Sequence, residues 1–137
     1  MLKNLYIFNN TFQSISDSQL TNYKEEGMPK IATAEFMGKN DKKYSFYVYP
    51  FDTNFKEIPA VYIVTNRHKN KEGKYRHTII YVGKTDNLKE CFENHYKTPC
   101  FIRNMANVIC VNSFKNEIER LDVKDDIIKG NSTLCND

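Results

Sequence analysis

The sequence lacks several features that mark specialised classes of protein. It has no tryptophan and only five glycines and four prolines in 137 residues, and no repeat, low-complexity tract or linker divides it. No apolar run approaches the roughly 18 residues of a membrane-spanning helix, and residues 1–6 are too polar for a signal peptide. We therefore expect a single domain in the cytoplasm, with no membrane partner.

The four cysteines carry no recognisable metal or disulfide pattern. Cys91, Cys100, Cys110 and Cys135 include no C-x-x-C pair, and no histidine stands at zinc-finger spacing. A disulfide framework is not expected in a chain of this size and composition. Cys110 lies in the apolar run 108–111 and is predicted to be a core residue.

The charge balance is mild overall but uneven along the chain. The 20 basic and 17 acidic residues give a net charge of +3, which permits an anionic partner without requiring one. One short segment holds five cations and a single acid, Glu72. Such a cluster either follows a phosphate backbone or forms a solvated hairpin loop, and composition leaves both readings open. The cations are Arg67, Lys69, Lys71, Lys74 and Arg76.

Periodicity and turn residues predict an α+β fold. A short strand at residues 2–8 and a short helix within 14–29 come first, and the tail from Asn131 is expected to fray. Three strands after Pro59, with helices around them, predict a three-stranded central sheet flanked by helices, to which an N-terminal β-hairpin is added as an extension. The predicted strands are 31–37, 44–51, 60–64, 78–82 and 108–111, and the helices are about 87–97, a short piece after Pro99, and 116–129.

Two tyrosine-bearing strands carry a family resemblance. Residues 60–63 (Ala-Val-Tyr-Ile) and 81–83 (Tyr-Val-Gly) are followed by a Gly-x-Thr-x-x-Leu entry into a helix. On this helix one face is predicted to carry Leu88, Cys91, Phe92 and His95. Thr85 or Asp86 is expected to cap this helix. In this order, the elements resemble the GIY-YIG nucleases over residues 58–129. The resemblance leaves 1–57 as a β-rich extension and 130–137 as a tail.

The resemblance implies metal-assisted hydrolysis of a phosphodiester bond. It places Tyr62 close to the attacking water and gives Tyr81 and His95 supporting roles in the same site. Active members also carry an arginine that stabilises the transition-state phosphate and a glutamate that holds one divalent ion. In this chain those two positions fall on Cys91 and Lys124.

These two substitutions predict a vestigial catalytic site. Cys91 is too short to reach a phosphate, and Lys124 reverses the charge of a metal ligand. Removing one such stabilising group costs several kcal/mol of transition-state stabilisation in enzymes where this has been measured. We expect no cofactor, with Mg²⁺ or Mn²⁺ needed only if the site is active. Glu117 is the alternative metal ligand in that case, and Lys84 joins the predicted phosphate-binding residues.

Three functions remain open at this point. The first is a GIY-YIG-like protein that binds nucleic acid, with DNA as the expected partner, and has lost or strongly reduced hydrolysis. The second is an active metal-dependent endonuclease that uses relocated residues. The third is a non-enzymatic interaction or inhibitor module that docks a protein partner on the tyrosine-rich segment 44–51.

Overall fold

The computed structural model describes residues 28–137, so the strand predicted at 2–8 and most of the helix predicted within 14–29 lie outside the described residues. Among those described, no helix is long and apolar enough to cross a membrane. The strands are β1 (Ala32–Met37), β2 (Lys43–Pro50), β3 (Ala60–Lys69), β4 (Tyr75–Thr85) and β5 (Val108–Asn112), and the helices are α1 (Leu88–Glu93), α2 (Thr98–Arg103) and α3 (Glu117–Gly130).

All five strands belong to one antiparallel sheet in the order β1-β2-β5-β3-β4. The prediction of a three-stranded central sheet with a separate hairpin extension is therefore wrong. Residues 47–50 of β2 pair with residues 108–111 of β5, which brings the first hairpin into the sheet as two full strands. Local periodicity identifies a strand but does not reveal such a partner, because the partner lies about 60 residues away in the sequence.

The two faces of the sheet bury different side chains. Tyr62 and Val64 of β3 point to a core that α1 and α2 cover, which we call the α1/α2 face. Val61 and Ile63 point to the opposite core, where Val123 and other residues of α3 pack, which we call the α3 face. Both faces are apolar because each is covered by helices, and this explains the nearly continuous run of buried residues in β3.

The basic segment forms strand rather than loop. The predicted strands end at residue 64 and begin again at 78, but β3 continues to Lys69 and β4 begins at Tyr75. The pairing continues through His68 opposite Arg76 and Lys69 opposite Tyr75. A tight turn at residues 70–74 closes the hairpin, with Gly73 at φ +81.

The first predicted helix, at about 87–97, is shorter in the structure. Asn87, rather than Thr85 or Asp86, caps α1 by accepting a hydrogen bond from the Glu90 backbone N–H at 3.1 Å. The helix ends at Glu93, and His95 lies in the connection to α2. His95 therefore approaches the sheet from a loop and not from the helical face that the spacing predicted.

The C-terminal tail is joined to α2 by a disulfide bond and to the sheet by hydrogen bonds. Cys100 of α2 is bonded to Cys135, so the expectation of unpaired cysteines is wrong at these two positions. The Cys135 N–H donates to the carbonyl of Ile80 at 2.8 Å, and Asn136 both accepts from and donates to the backbone of Val82. The tail therefore covers part of the β4 edge and is not frayed there. Cys110 is fully buried, as predicted.

Candidate nucleic-acid interface and the aromatic cluster

Three residues singled out by the family resemblance meet on the α1/α2 face. The Tyr62 hydroxyl lies 2.8 Å from Nε2 of His95. The ring centroid of Tyr81 lies 5.2 Å from that of His95 and 6.0 Å from that of Tyr62. Phe92 and Phe101 also pack on the imidazole. We call Tyr62, Tyr81, Phe92, His95 and Phe101 the aromatic cluster.

A directed chain of hydrogen bonds runs through this cluster. The backbone N–H of Lys97 donates to Nδ1 of His95 at 3.0 Å. Burial, with the Lys97 ammonium adding to it, lowers the pKa of His95, so the ring is neutral and carries its proton on Nε2. Nε2–H then donates to the Tyr62 oxygen, which leaves the Tyr62 hydroxyl proton for the Cys91 thiol or the Tyr81 hydroxyl, the two groups that interact with it.

Burial separates most of this chain from solvent. Tyr62 is 3% exposed and His95 is 7% exposed, whereas the neighbouring Tyr96 is 74% exposed and lies with its hydroxyl 3.2 Å from that of Tyr81. Desolvation raises the pKa of both Tyr62 and Tyr81, so both hydroxyls stay protonated. The cluster is therefore a neutral, hydrogen-bonded packing core in which Tyr62 and His95 are buried and Tyr81 and Phe92 are partly exposed.

Cys91 occupies the position beside the Tyr62 hydroxyl. It packs partly buried against the core of the α1/α2 face. Burial raises the pKa of its thiol, and the hydrogen bonds from Tyr62 and Thr85 oppose that rise without cancelling it. The side chain is a protonated, half-buried filler and supplies no positive charge to a phosphate.

Gly83 leaves the space that the Tyr62 side chain occupies. The two residues lie opposite each other in the β3–β4 register. A Cβ atom at position 83 would stand 2.5 Å from both Cζ and Oη of Tyr62, which is closer than real Cβ contacts come. The glycine of the Tyr-Val-Gly sequence is needed because the Tyr62 ring lies directly against the β4 backbone.

Lys124 and Glu117 do not join the aromatic cluster. Both are on α3, which packs on the opposite face of the sheet from Tyr62. The Lys124 ammonium lies 3.5 Å from Asp125. The Glu117 carboxylate lies 3.0 Å from the Lys84 ammonium and 3.4 Å from the Arg120 guanidinium.

The Glu117 carboxylate is already paired with two cations, Lys84 and Arg120. Lys84, through its hydrogen bond and charge, together with Arg120, lowers the pKa of Glu117. Within residues 28–137, no group of three or more histidine, cysteine, aspartate or glutamate side chains is arranged to hold a metal ion. Glu117, the predicted alternative metal ligand, is thus an ion-pair partner of Lys84. Lys84 itself lies eight residues beyond Arg76, about 26 Å along β4 from the hairpin cations, and is therefore not part of their cluster.

The other five predicted phosphate-binding residues come together at the end of the β3–β4 hairpin. We call residues 66–77 the basic ribbon. The side chains of Lys69, Lys71, Lys74 and Arg76 are exposed, and Arg67 is half-buried. No cation of this group is in an ion pair with Glu72 among the salt bridges of the described residues. The ribbon is therefore a concentrated, solvent-facing positive surface.

Tyr75 organises one face of the ribbon and was missed by the sequence prediction. The guanidinium of Arg67 stacks on the Tyr75 ring, 3.6 Å from its centroid, and the Lys69 ammonium lies 5.4 Å from the same centroid. Tyr75 was overlooked because it was assigned to a loop. The signal that could have found it is the alternation of residues 67, 69 and 75 across a paired hairpin.

His77 lies at the base of the ribbon and adds no charge to it at neutral pH. Its Nδ1 lies 2.8 Å from the Thr65 hydroxyl, and its ring packs edge-on against Phe36. Burial, followed by the charges of Arg67 and His68, lowers the pKa of His77 from 6.5 to about 4. The neutral imidazole thus packs against the core and makes one hydrogen bond, to Thr65.

We expect this lowered pKa to make stability depend on pH. The unfolded chain binds the His77 proton below about pH 6.5, whereas the folded chain does not until about pH 4. The free energy of unfolding should therefore fall as the pH is lowered between these values. Urea unfolding at pH 7 and pH 4.5 measures the loss, and His77→Gln, which keeps a hydrogen-bonding group for Thr65, should reduce it. Equal losses in both proteins would refute the assignment.

The tyrosine-rich segment 44–51 does not form an open docking surface. Tyr49 is buried, and the Tyr44 hydroxyl donates to Asp126 at 2.7 Å, so that Tyr47 alone of these tyrosines is largely exposed. The segment is an inner strand of the sheet. The structure thus offers no observation in favour of a protein-docking role for it.

Comparison with known proteins adds no relative. No protein-family model, curated protein or solved structure matches this chain. The resemblance to GIY-YIG nucleases rests on the residues of the sequence itself.

Proposed function

We propose that this chain binds nucleic acid through the basic ribbon, and that it is a degenerate relative of the GIY-YIG nucleases without phosphodiester hydrolysis. The observation that carries the proposal is the ribbon, which gathers five cationic side chains on one hairpin, two of them, Arg67 and Lys69, over the ring of Tyr75. Lysine and arginine that follow a phosphate backbone release counterions and supply most of the affinity in sequence-independent binding. A cytoplasmic location stays a prediction.

The absence of hydrolysis is supported by the state of the residues that would perform it. Tyr62 and His95 are buried and neutral and bind each other, so neither is available to activate a water. Cys91 offers no charge to a phosphate. Glu117 is neutralised by Lys84 and Arg120. We therefore expect Mg²⁺ or Mn²⁺ to bring no cutting activity.

The decisive measurement is nucleic-acid affinity as a function of salt. If three to five ribbon cations contact phosphates, the logarithm of the binding constant should fall with the logarithm of salt concentration with a slope of roughly −3 to −4.5. Lys71→Glu should weaken binding at low salt and flatten this slope by about 1. Fluorescence anisotropy with a labelled oligonucleotide measures both quantities.

Lys115→Glu is the matched control, because it makes the same change of net charge at an exposed position before α3, away from the ribbon. It should leave the slope unchanged. Equal effects of the two variants, or no binding at 50 mM salt, would contradict the proposal. Plasmid incubated with the same protein and Mg²⁺ or Mn²⁺ tests hydrolysis, and nicking that Tyr62→Phe abolishes would favour the active endonuclease instead.

A further inference from the structure

The end of the basic ribbon extends beyond its pairing with β5, and Tyr75 and Arg76 at its base share a cleft with β1. β5 supports β3 only as far as Thr65, and the Asn107 side chain then bonds both backbone groups of Arg67, at 2.7 and 2.9 Å. Beyond Arg67, the described strand pairing is that of β3 with β4 alone. Residues 68–76 thus form a two-stranded projection about 10 Å long.

The projection is held in shape by its own turn. The Asn70 N–H donates to the carbonyl of Lys74 at 2.8 Å, and the Gly73 N–H donates to the carbonyl of Asn70 at 3.0 Å. The Asn70 side-chain oxygen accepts from the backbone N–H groups of Glu72 and Lys74. Little conformational entropy is therefore lost if the tip inserts into a partner.

Cations line both faces of the projection. Lys69 lies with Tyr75 on one face, and Arg67 stacks on the same ring at the base of the projection. Successive strand residues alternate between faces, so His68 and Arg76, which are paired across the strands, lie on the other face. Lys71 occupies the tip. A partner that contacts all of them must present negative charge on two sides of the projection and also below its tip.

We propose that the projection enters the major groove of B-form duplex DNA. This inference rests on the proposed function and specifies its substrate. The major groove is about 12 Å wide and 8.5 Å deep and admits a two-stranded β-ribbon, which matches the free length, and its two walls are phosphate backbones. The major groove of A-form RNA is too narrow for side chains to read. The tip then faces the groove floor, and the exposed side chains of Lys71 and Lys74 extend to the flanking phosphates.

The test compares three labelled oligonucleotides of one sequence at one low salt concentration: duplex DNA, duplex RNA and single-stranded DNA. We expect duplex DNA to bind at least tenfold more tightly than either of the others. Duplex DNA whose cytosines carry glucosylated hydroxymethyl groups, which fill the major groove, should bind at least tenfold more weakly than the unmodified duplex. Netropsin, which occupies the minor groove, should not compete.

The outcomes separate the inference from the proposed function. Binding to DNA and RNA duplexes alike, with no effect of the glucosyl groups, would overturn major-groove insertion and leave the ribbon as a general phosphate-binding surface. Preference for single strands would overturn it in the same way. No binding to any of the three would overturn the proposed function as well. Lys71→Glu and Lys115→Glu serve as the ribbon variant and its control, and only the former should reduce the preference for duplex DNA.

Discussion

Gly83→Ala should destabilise the protein by about 1–3 kcal/mol, which is the usual range for inserting a methyl group into a packed core. The added Cβ would stand 2.5 Å from two atoms of the Tyr62 ring. The Tyr62 side chain is held in place by the hydrogen bond of its hydroxyl to His95 and by the Phe92 ring, whose centroid lies 4.9 Å from that of Tyr62. It therefore has little room to move aside. An alanine in a strand interior is otherwise more favourable than a glycine, by roughly 0.5–1 kcal/mol. A net loss therefore identifies the steric contact.

Tyr62→Leu provides the matched background for this test, because leucine lacks the two atoms that the new methyl would meet. In that background Gly83→Ala should be neutral or mildly stabilising. Urea unfolding of the four proteins gives the coupling free energy between the two positions. A Gly83→Ala penalty of the same size in both backgrounds would show that the close approach of ring and strand is not its cause.

This contact also explains why the two tyrosine motifs occur together in the sequence. Tyr62 and Gly83 are separated by 21 positions but are directly opposed in the sheet. The glycine of the Tyr-Val-Gly sequence is thus a packing requirement of the Tyr62 ring, whether or not the ring takes part in catalysis. A motif that a fold needs for packing is weak evidence for chemistry, and the sequence alone does not separate the two.

Local chemistry made several elements of the fold predictable. β-branched and aromatic runs located all five described strands, and the stop at Gly130 closely matches the end of α3. The sheet order was not predictable, because the pairing of β2 with β5 depends on contacts between distant segments. The break between α1 and α2 was predicted at Pro99 but lies at residues 94–97, because the apolar spacing of Leu88 and His95 fits a longer first helix and Pro99 is accommodated in the first turn of α2.

The candidate sites differ in the same way. The convergence of Tyr62, Tyr81 and His95 followed from the order of the motifs, and Phe92 was placed beside His95 by the helical spacing. Their burial also depends on Phe101, which no motif marks. The sequence marked the ribbon cations as one cluster. It did not separate Lys84 from them, because only the length of β4 and the ion pair with Glu117 do so.

The loss of the Cys100–Cys135 disulfide should have the largest effect on stability among the changes considered. The bond closes a loop with a sequence separation of 35 residues, for which the chain-entropy model gives roughly 4 kcal/mol and typical measured values are about 2–4 kcal/mol. Cys135→Ser should therefore lower the free energy of unfolding by that amount. Excess dithiothreitol should bring the wild-type protein to the same value, and the variant should not respond to it.

The loss should also have a local signature at the edge of the sheet. The Val82 N–H donates to the Asn136 side chain, and the Cys135 N–H donates to Ile80. Without the disulfide to Cys100, only the non-covalent contacts of the tail hold it against β4. Both hydrogen bonds should therefore open more often, and both amides should exchange with deuterium faster. The Ile63 amide, in the inner strand β3, should change only as far as global stability changes. Equal acceleration at all three amides would mean that the disulfide stabilises the fold as a whole and does not hold the tail in particular against β4.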